Sequence, residues 1–150
     1  MKVFALLSLA IAASACFPSV HTNTTPIDPS LQLARTCPDA VKLYMSPEQV
    51  QQSYREVALL NSMGEVKYSD EGEMYASMRD EAAEFGANAI ILDRMDEPNA
   101  ITKVAADVAK TGVLRKGRGM AIYVAADSAH TKATCASYKK PSWLRRHLSF

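Results

Sequence analysis

Three histidines and an acidic cluster are the first candidates for catalysis in this sequence. His21, His130 and His147 all fall outside the predicted helices and strands, where no rigid position would hold a general base against its substrate. The acidic cluster at residues 70–73 lacks the further oxygen ligands that a hard cation needs, and it suits the start of a helix better. The chain also lacks G-x-S-x-G, P-loop, H-E-x-x-H and C-x-x-C motifs. We therefore expect no enzyme, no metal site and no cofactor.

Cys16 stands at the end of an N-terminal segment with the features of an export signal. Lys2 precedes an apolar run over residues 3–13, and small residues lead to Ala15. A basic start, an apolar stretch and small residues at the cut are typical of secretory signals. A cysteine directly after the cut looks like a bacterial lipobox, in which the thiol is diacylated. We predict a signal peptide over 1–15 and lipidation at Cys16; plain secretion and a buried N-terminal helix are the alternatives.

Cys37 and Cys135 are the remaining thiols. In an oxidising exported compartment they could pair, because the first lies just before the first predicted strand and the second shortly after the last. In the chain-entropy model such a bond would stabilise the domain by about 4–5 kcal/mol. Three outcomes stay open: a disulfide, two free thiols, or an intermolecular or metal role. Two thiols without a nearby histidine or carboxylate make a poor metal site.

The composition is that of one globular domain with flanking segments. The chain has 150 residues, of which 48% are hydrophobic and 22% charged, and its net charge of +1 argues against a nucleic-acid partner. Residues 16–36 are rich in proline and threonine and predict a flexible tether behind the lipid. The folded domain is expected over 37–126, followed by a basic, disordered tail over 127–150. That tail could contact anionic lipid or cell-wall polymer.

Hydrophobic patterning within 37–126 predicts an α+β domain of order β-β-α-β-(α)-β. The main helix starts at Ser69 or Asp70 and places Met74, Met78, Ala82 and Phe85 on one face. A possible bulge is expected at Gly64. Strands are predicted at 41–45, 56–68, 89–92 and 120–124, and a weaker helix or an ordered loop between 98 and 112.

The helix-to-strand junction at 81–92, EAAEFGANAIIL, resembles an A-A-x-x-G-A-N-A-(I/V) pattern of small bacterial envelope proteins. These include Rcs-type stress-sensor lipoproteins, heavy-metal-binding proteins of the YbjQ type and other outer-membrane lipoproteins. Gly86 is expected to end the helix in the left-handed conformation, and Asn88 to hydrogen-bond the turn. The resemblance implies one main helix packed on a mostly antiparallel sheet. For the Rcs type it also implies binding to barrel and signalling proteins; no ligand set is carried over.

These observations favour a lipid-anchored envelope protein that acts as a non-catalytic binding or structural module. Phe17, rather than Asp, after the lipidated position favours the outer membrane, with the domain facing the periplasm. The partners expected are the membrane itself and another envelope protein. The alternative is a metal- or redox-responsive stress sensor that uses Cys37 and Cys135.

Overall fold

A five-stranded mixed sheet with one long helix on one face forms the domain. The computed structural model describes residues 20–109 and 111–139. The strand order is β1-β3-β5-β4-β2, in which β2 and β4 are parallel and the other pairs antiparallel. The predicted α+β class is confirmed. The elements are β1 (Val20–Pro26), β2 (Lys42–Tyr44), β3 (Tyr54–Glu65), α1 (Glu71–Glu84), β4 (Ala89–Asp96), α2 (Ala100–Ala109), β5 (Leu114–Val124) and α3 (Ser128–Ser137).

Helix α1 begins and ends where its local signals predict. Asp70 accepts a hydrogen bond from the main-chain N–H of Glu73, whose side chain in turn accepts from the N–H of Asp70. This reciprocal capping box accounts for the acidic cluster without a metal ion. Met74, Met78 and Ala82 are fully buried against the sheet. The apolar face predicted from their spacing is therefore the face that packs.

Gly86 ends the helix with a φ of +79°, the left-handed conformation that its position predicts. A Cβ at this position would lie 2.5 Å from Leu33 Cβ and 2.7 Å from Ala34 O. The glycine is thus needed for its backbone conformation and also because residues 33–34 cross directly over it.

The bulge expected at Gly64 is wrong. Gly64 lies in regular register between Val20 and Arg115, and the irregularity of β3 falls between Glu56 and Ala58. The glycine has a packing reason instead, because a Cβ there would clash with the hydroxyl of Ser69. A glycine in a strand indicates either a bulge or a close approach, and here the close approach holds.

Part of the predicted tether is a strand. Residues 20–26 form β1, an edge strand antiparallel to β3, so the expectation of a flexible segment over 16–36 is wrong for them. The sequence is polar because its inward residues bond to α1 rather than pack as apolar core. Thr22 is buried, with its hydroxyl 2.7 Å from that of Ser77, and Thr24 donates to Glu81 at 2.8 Å.

Part of the predicted tail is a helix. Residues 128–137 form α3, so the expectation of disorder over 127–150 is wrong for them, and the domain extends beyond 37–126 in both directions. Helix α3 is stabilised by long-range contacts that cannot be predicted from its polar sequence. Its residue Thr131 is buried, and its residue Cys135 is covalently joined to Cys37.

Candidate functional site

Cys37 and Cys135 form a disulfide that closes the chain across a separation of 98 residues, with their Cα atoms 5.4 Å apart. The bond joins the short 3-10 turn Pro38–Ala40 to α3. Cys37 is only 4% exposed. Of the three outcomes left open by the sequence, the structure therefore has the intramolecular bond.

Asn88 does not serve the turn after α1, as the junction pattern had suggested. It is 1% exposed, and its side chain bonds to both main-chain groups of Val124 at the end of β5. The same amide nitrogen lies 3.3 Å from the hydroxyl of Thr131 on α3. Asn88 thus joins the start of β4, the end of β5 and α3, and its role is structural.

The candidate histidines do not assemble a site among the described residues. His21 is exposed on β1, with its Nε2 2.9 Å from Asn23 Oδ1, and His130 is exposed on α3. Both occupy regular elements, so their expected placement in irregular segments is wrong. In residues 20–109 and 111–139, no group of three or more histidine, cysteine or carboxylate side chains could hold a metal ion. His147 and Cys16 lie outside the described residues.

The sheet face opposite α1 carries an apolar groove that sequence reasoning missed. Its volume is about 510 Å³, and we call it the open-face groove. Its apolar part includes Leu59, which is 45% exposed, and the still more exposed Met45. Its lining includes the apolar residues Met45, Pro47, Tyr54, Leu59, Ile91 and Met120 and the polar residues Glu56, Asn61, Asp93 and Arg118. Exposed apolar surface of this kind, edged by polar groups, is typical of binding sites.

The sequence contains one feature that indicates the groove, but this feature can be interpreted only once the fold is known. Residues 57–60 form an apolar run, and in a regular strand successive side chains point to opposite faces of the sheet. Ala58 and Leu60 are buried beneath α1, so Leu59 points to the other face. That face is covered only in part, where Tyr44 and Val50 pack on a buried cluster that includes Ile122.

Helix α2 presents a second exposed apolar surface. Ile101, Val104 and Val108 are 80%, 64% and 81% exposed, and Ala106 is the one buried residue of the helix. The predicted spacing of apolar residues on one side is present. That side, however, faces away from the domain.

Ionic contacts fix the connections at both ends of the sheet. Lys42 Nζ donates to Asp127 Oδ2 at 2.8 Å, and this hydrogen bond raises the pKa of Lys42. At the other end Glu97 accepts from Arg115, whose Nη1 also donates to Ser69 O at 2.9 Å. The bond from Arg115 lowers the pKa of Glu97. Lys103 of α2 lies 3.6 Å from the same carboxylate, so Glu97 connects α2 to β5.

Comparison with known proteins identifies no functional site in this chain. No family model and no curated protein match it. A crystal structure of the Francisella virulence factor FvfA, in an orthorhombic form, is similar at 17% identity and a TM-score of 0.46. The alignment covers 68% of this chain and 96% of that one. Within the described residues, no helix has the length and apolar character to cross a membrane.

Proposed function

We propose that this chain is a lipid-anchored protein of the bacterial envelope that binds an apolar segment of a partner protein in the open-face groove. The groove is the observation that carries the proposal, because it leaves Met45, Tyr54 and Leu59 exposed on a face that no helix of the described residues covers. Burying such side chains stabilises a complex by about 25 cal/mol for each Å² of apolar surface removed from water.

The rim of the groove indicates the character of the partner segment. Glu56 and Asp93 contribute two carboxylates and Arg118 one guanidinium, so the rim carries a net negative charge. An apolar segment with a basic residue beside it would complement both the apolar side chains that line the groove and the negative charge of its rim. Anchoring would assist such binding, since confinement to a membrane surface raises the effective concentration toward partners in that layer.

Two features support placement in the envelope. The first fifteen residues have the pattern of an export signal, followed by Cys16, and the domain holds a disulfide between Cys37 and Cys135. Disulfides persist in oxidising compartments such as the periplasm. In the alternative, a redox sensor, an attacking thiolate must reach one of the two sulfurs; Cys37 is 4% exposed, and Cys135 is only partly buried.

Site-specific photo-crosslinking in intact cells tests the binding function. A photoreactive residue at Leu59 should yield one reproducible adduct, whereas the same residue at the exposed Ala133 of α3 should not. The adduct should disappear when Met45→Asp is added, while the melting temperature is unchanged. An adduct that forms equally at both positions, or that survives Met45→Asp, would contradict the proposed groove.

The anchor is tested separately. The variant Cys16→Ser should move the protein from the membrane fraction to the soluble exported fraction, and the mature wild-type N-terminus should carry the mass of acyl chains. A wild-type protein that is soluble and has no lipid mass would overturn the anchor while leaving the groove to its own test.

A further inference from the structure

Helix α2 is amphipathic, but its larger apolar side chains face solvent instead of packing on the domain. At 100° per residue, Ile101, Val104 and Val108 lie within one arc of the helix, and Ala106 lies on the other side. Ala106 is buried against the domain, while the three larger side chains are between 64% and 81% exposed. We therefore expect the exposed apolar side chains of α2 to be covered by another molecule.

The position of α2 in the fold places it beside the start of the described chain. Val20 is paired with Gly64, Gly64 with Arg115, and Asp96 with Lys116. The beginning of β1, the ends of β3 and β4 and the beginning of β5 therefore share one end of the sheet. Helix α2 connects β4 to β5 at this same end. We call it the anchor end.

The length of chain before Val20 limits where a lipid on Cys16 can be. Cys16 lies four positions before Val20 in the sequence, so their Cα atoms are at most roughly 14 Å apart. A membrane that holds acyl chains on Cys16 must consequently lie close to the anchor end. It cannot lie beyond the opposite end, where Tyr54 pairs with Val124.

Other exposed side chains at the anchor end suit a lipid interface. Tyr68 is 60% exposed and follows β3, with Lys67 Nζ 5.3 Å from its ring centroid. Leu114, at the start of β5, is 50% exposed. Tyrosine and lysine are the residues that place a polar tip among head groups while their apolar parts remain in the interface.

We propose that α2 lies in the head-group boundary of the membrane that carries the lipid anchor, with Ile101, Val104 and Val108 inserted toward the acyl chains. This rests on the proposed lipid at Cys16. A ten-residue helix with three such side chains binds too weakly to hold a protein alone, but a covalent lipid needs such a second contact to fix orientation. The domain would then stand in one orientation, with its open-face groove accessible.

The charges at the anchor end favour an apolar contact over an electrostatic one. Lys67, Lys103 and Lys116 are matched in number by the acidic residues Glu65, Asp96 and Asp107, and Arg115 is paired with Glu97. Insertion should therefore depend weakly on salt, unlike attraction of a basic segment to anionic lipid.

Depth-dependent fluorescence quenching tests the proposal. The single tryptophan is first removed as Trp143→Phe, and a new one is placed as Ile101→Trp in the full-length lipidated protein. The protein is reconstituted in vesicles of phosphatidylethanolamine and phosphatidylglycerol with brominated acyl chains. We expect quenched and blue-shifted emission. The matched control is Tyr54→Trp in the same background, at the opposite end of the sheet, where we expect no quenching.

The outcomes separate this proposal from the anchor on which it rests. Equal emission at positions 101 and 54 in vesicles, with acyl mass present, overturns the insertion of α2. A blue shift at position 101 that grows with protein concentration in the absence of lipid overturns it in favour of a second copy of this chain.

A second measurement does not depend on the lipid anchor. In the Cys16→Ser protein at high vesicle concentration, where the weak binding of α2 alone becomes measurable, Ile101→Ser with Val108→Ser should lower the vesicle-bound fraction in co-flotation by about tenfold. The control pair Tyr54→Ser with Leu59→Ser removes apolar groups from the groove and should leave flotation unchanged. Equal flotation of the two double variants would contradict the proposal even if the anchor is confirmed.

Discussion

Asn88 and Val124 are joined as two paired strand residues would be, although the bonding atoms of Asn88 belong to its side chain. Its Oδ1 accepts from Val124 N at 2.8 Å, and its Nδ2 donates to Val124 O at 2.9 Å. The main-chain N–H of Asn88 meanwhile donates to Ile122 O at 3.1 Å, and its carbonyl accepts from Lys42 N at 3.1 Å. One buried residue thus satisfies groups from two strands, β5 and β2, at the point where the sheet meets α3.

Removing this side chain should destabilise the domain. We expect Asn88→Ala to lower the free energy of unfolding by about 2–4 kcal/mol, because it leaves the buried N–H and C=O of Val124 without partners. Denaturant unfolding measures the change, and Asn61→Ala on the exposed face of β3 is the matched control. A loss equal to that of Asn61→Ala would show that the Asn88 bonds contribute nothing net.

The glycine after α1 should tolerate no side chain. We expect Gly86→Ala to cost about 2–4 kcal/mol, since an L-residue at φ +79° is strained and its Cβ would press on residues 33–34. Gly86→Val should cost more. Gly72→Ala, inside α1, is the control and should change stability by less than about 1 kcal/mol. Melting temperatures that coincide for the two alanine variants would exclude this role of Gly86.

Truncation should distinguish α3 from the residues that follow it. Ending the chain after Lys139 should leave the free energy of unfolding unchanged. Ending it after Ala126 should destabilise the domain severely, because it removes Thr131 and the disulfide. The full chain with Cys37→Ala and Cys135→Ala isolates the covalent part, for which we expect a loss of about 2–5 kcal/mol. A stable, folded product after Ala126 would be inconsistent with an integral α3.

The connection of α2 should weaken in acid. Arg115 holds the pKa of Glu97 below its usual value of 4.5. A carboxyl group whose pKa is lower in the folded state adds stability above the unfolded value and loses it as pH falls through the folded one. Amide hydrogen exchange over 99–109, corrected for the intrinsic rate, should therefore rise as the pH falls below 4.5.

Two matched variants test whether the acid-induced rise in exchange comes from Glu97. Glu97→Gln should show the faster exchange at neutral pH and little further change in acid. Asp96→Asn breaks a pair with Arg94 inside β4 and should leave α2 as in the wild type. Identical pH profiles for the wild type and Glu97→Gln would remove Glu97 from this role.

The sequence by itself determined the elements whose signals are local. The capping residue Asp70, the apolar face of α1 and Gly86 all act within a few residues of one another, so pattern and conformation agree. The buried strand β4 also follows from its apolar run, together with the α+β class, whereas the sequence left the pairing of Cys37 with Cys135 as one of three outcomes.

Tertiary structure decided the elements whose stability comes from distant partners. Residues 20–26 have no apolar alternation, and they form β1 because β3 supplies the ladder and α1 supplies polar contacts to Thr22 and Thr24. Helix α3 depends in the same way on Asn88 and Cys37. Periodicity showed that α2 has an apolar side, but only packing could show which way that side faces, because a period carries no direction. The open-face groove likewise exists because α1 covers one face of the sheet, and no local pattern states which face is left.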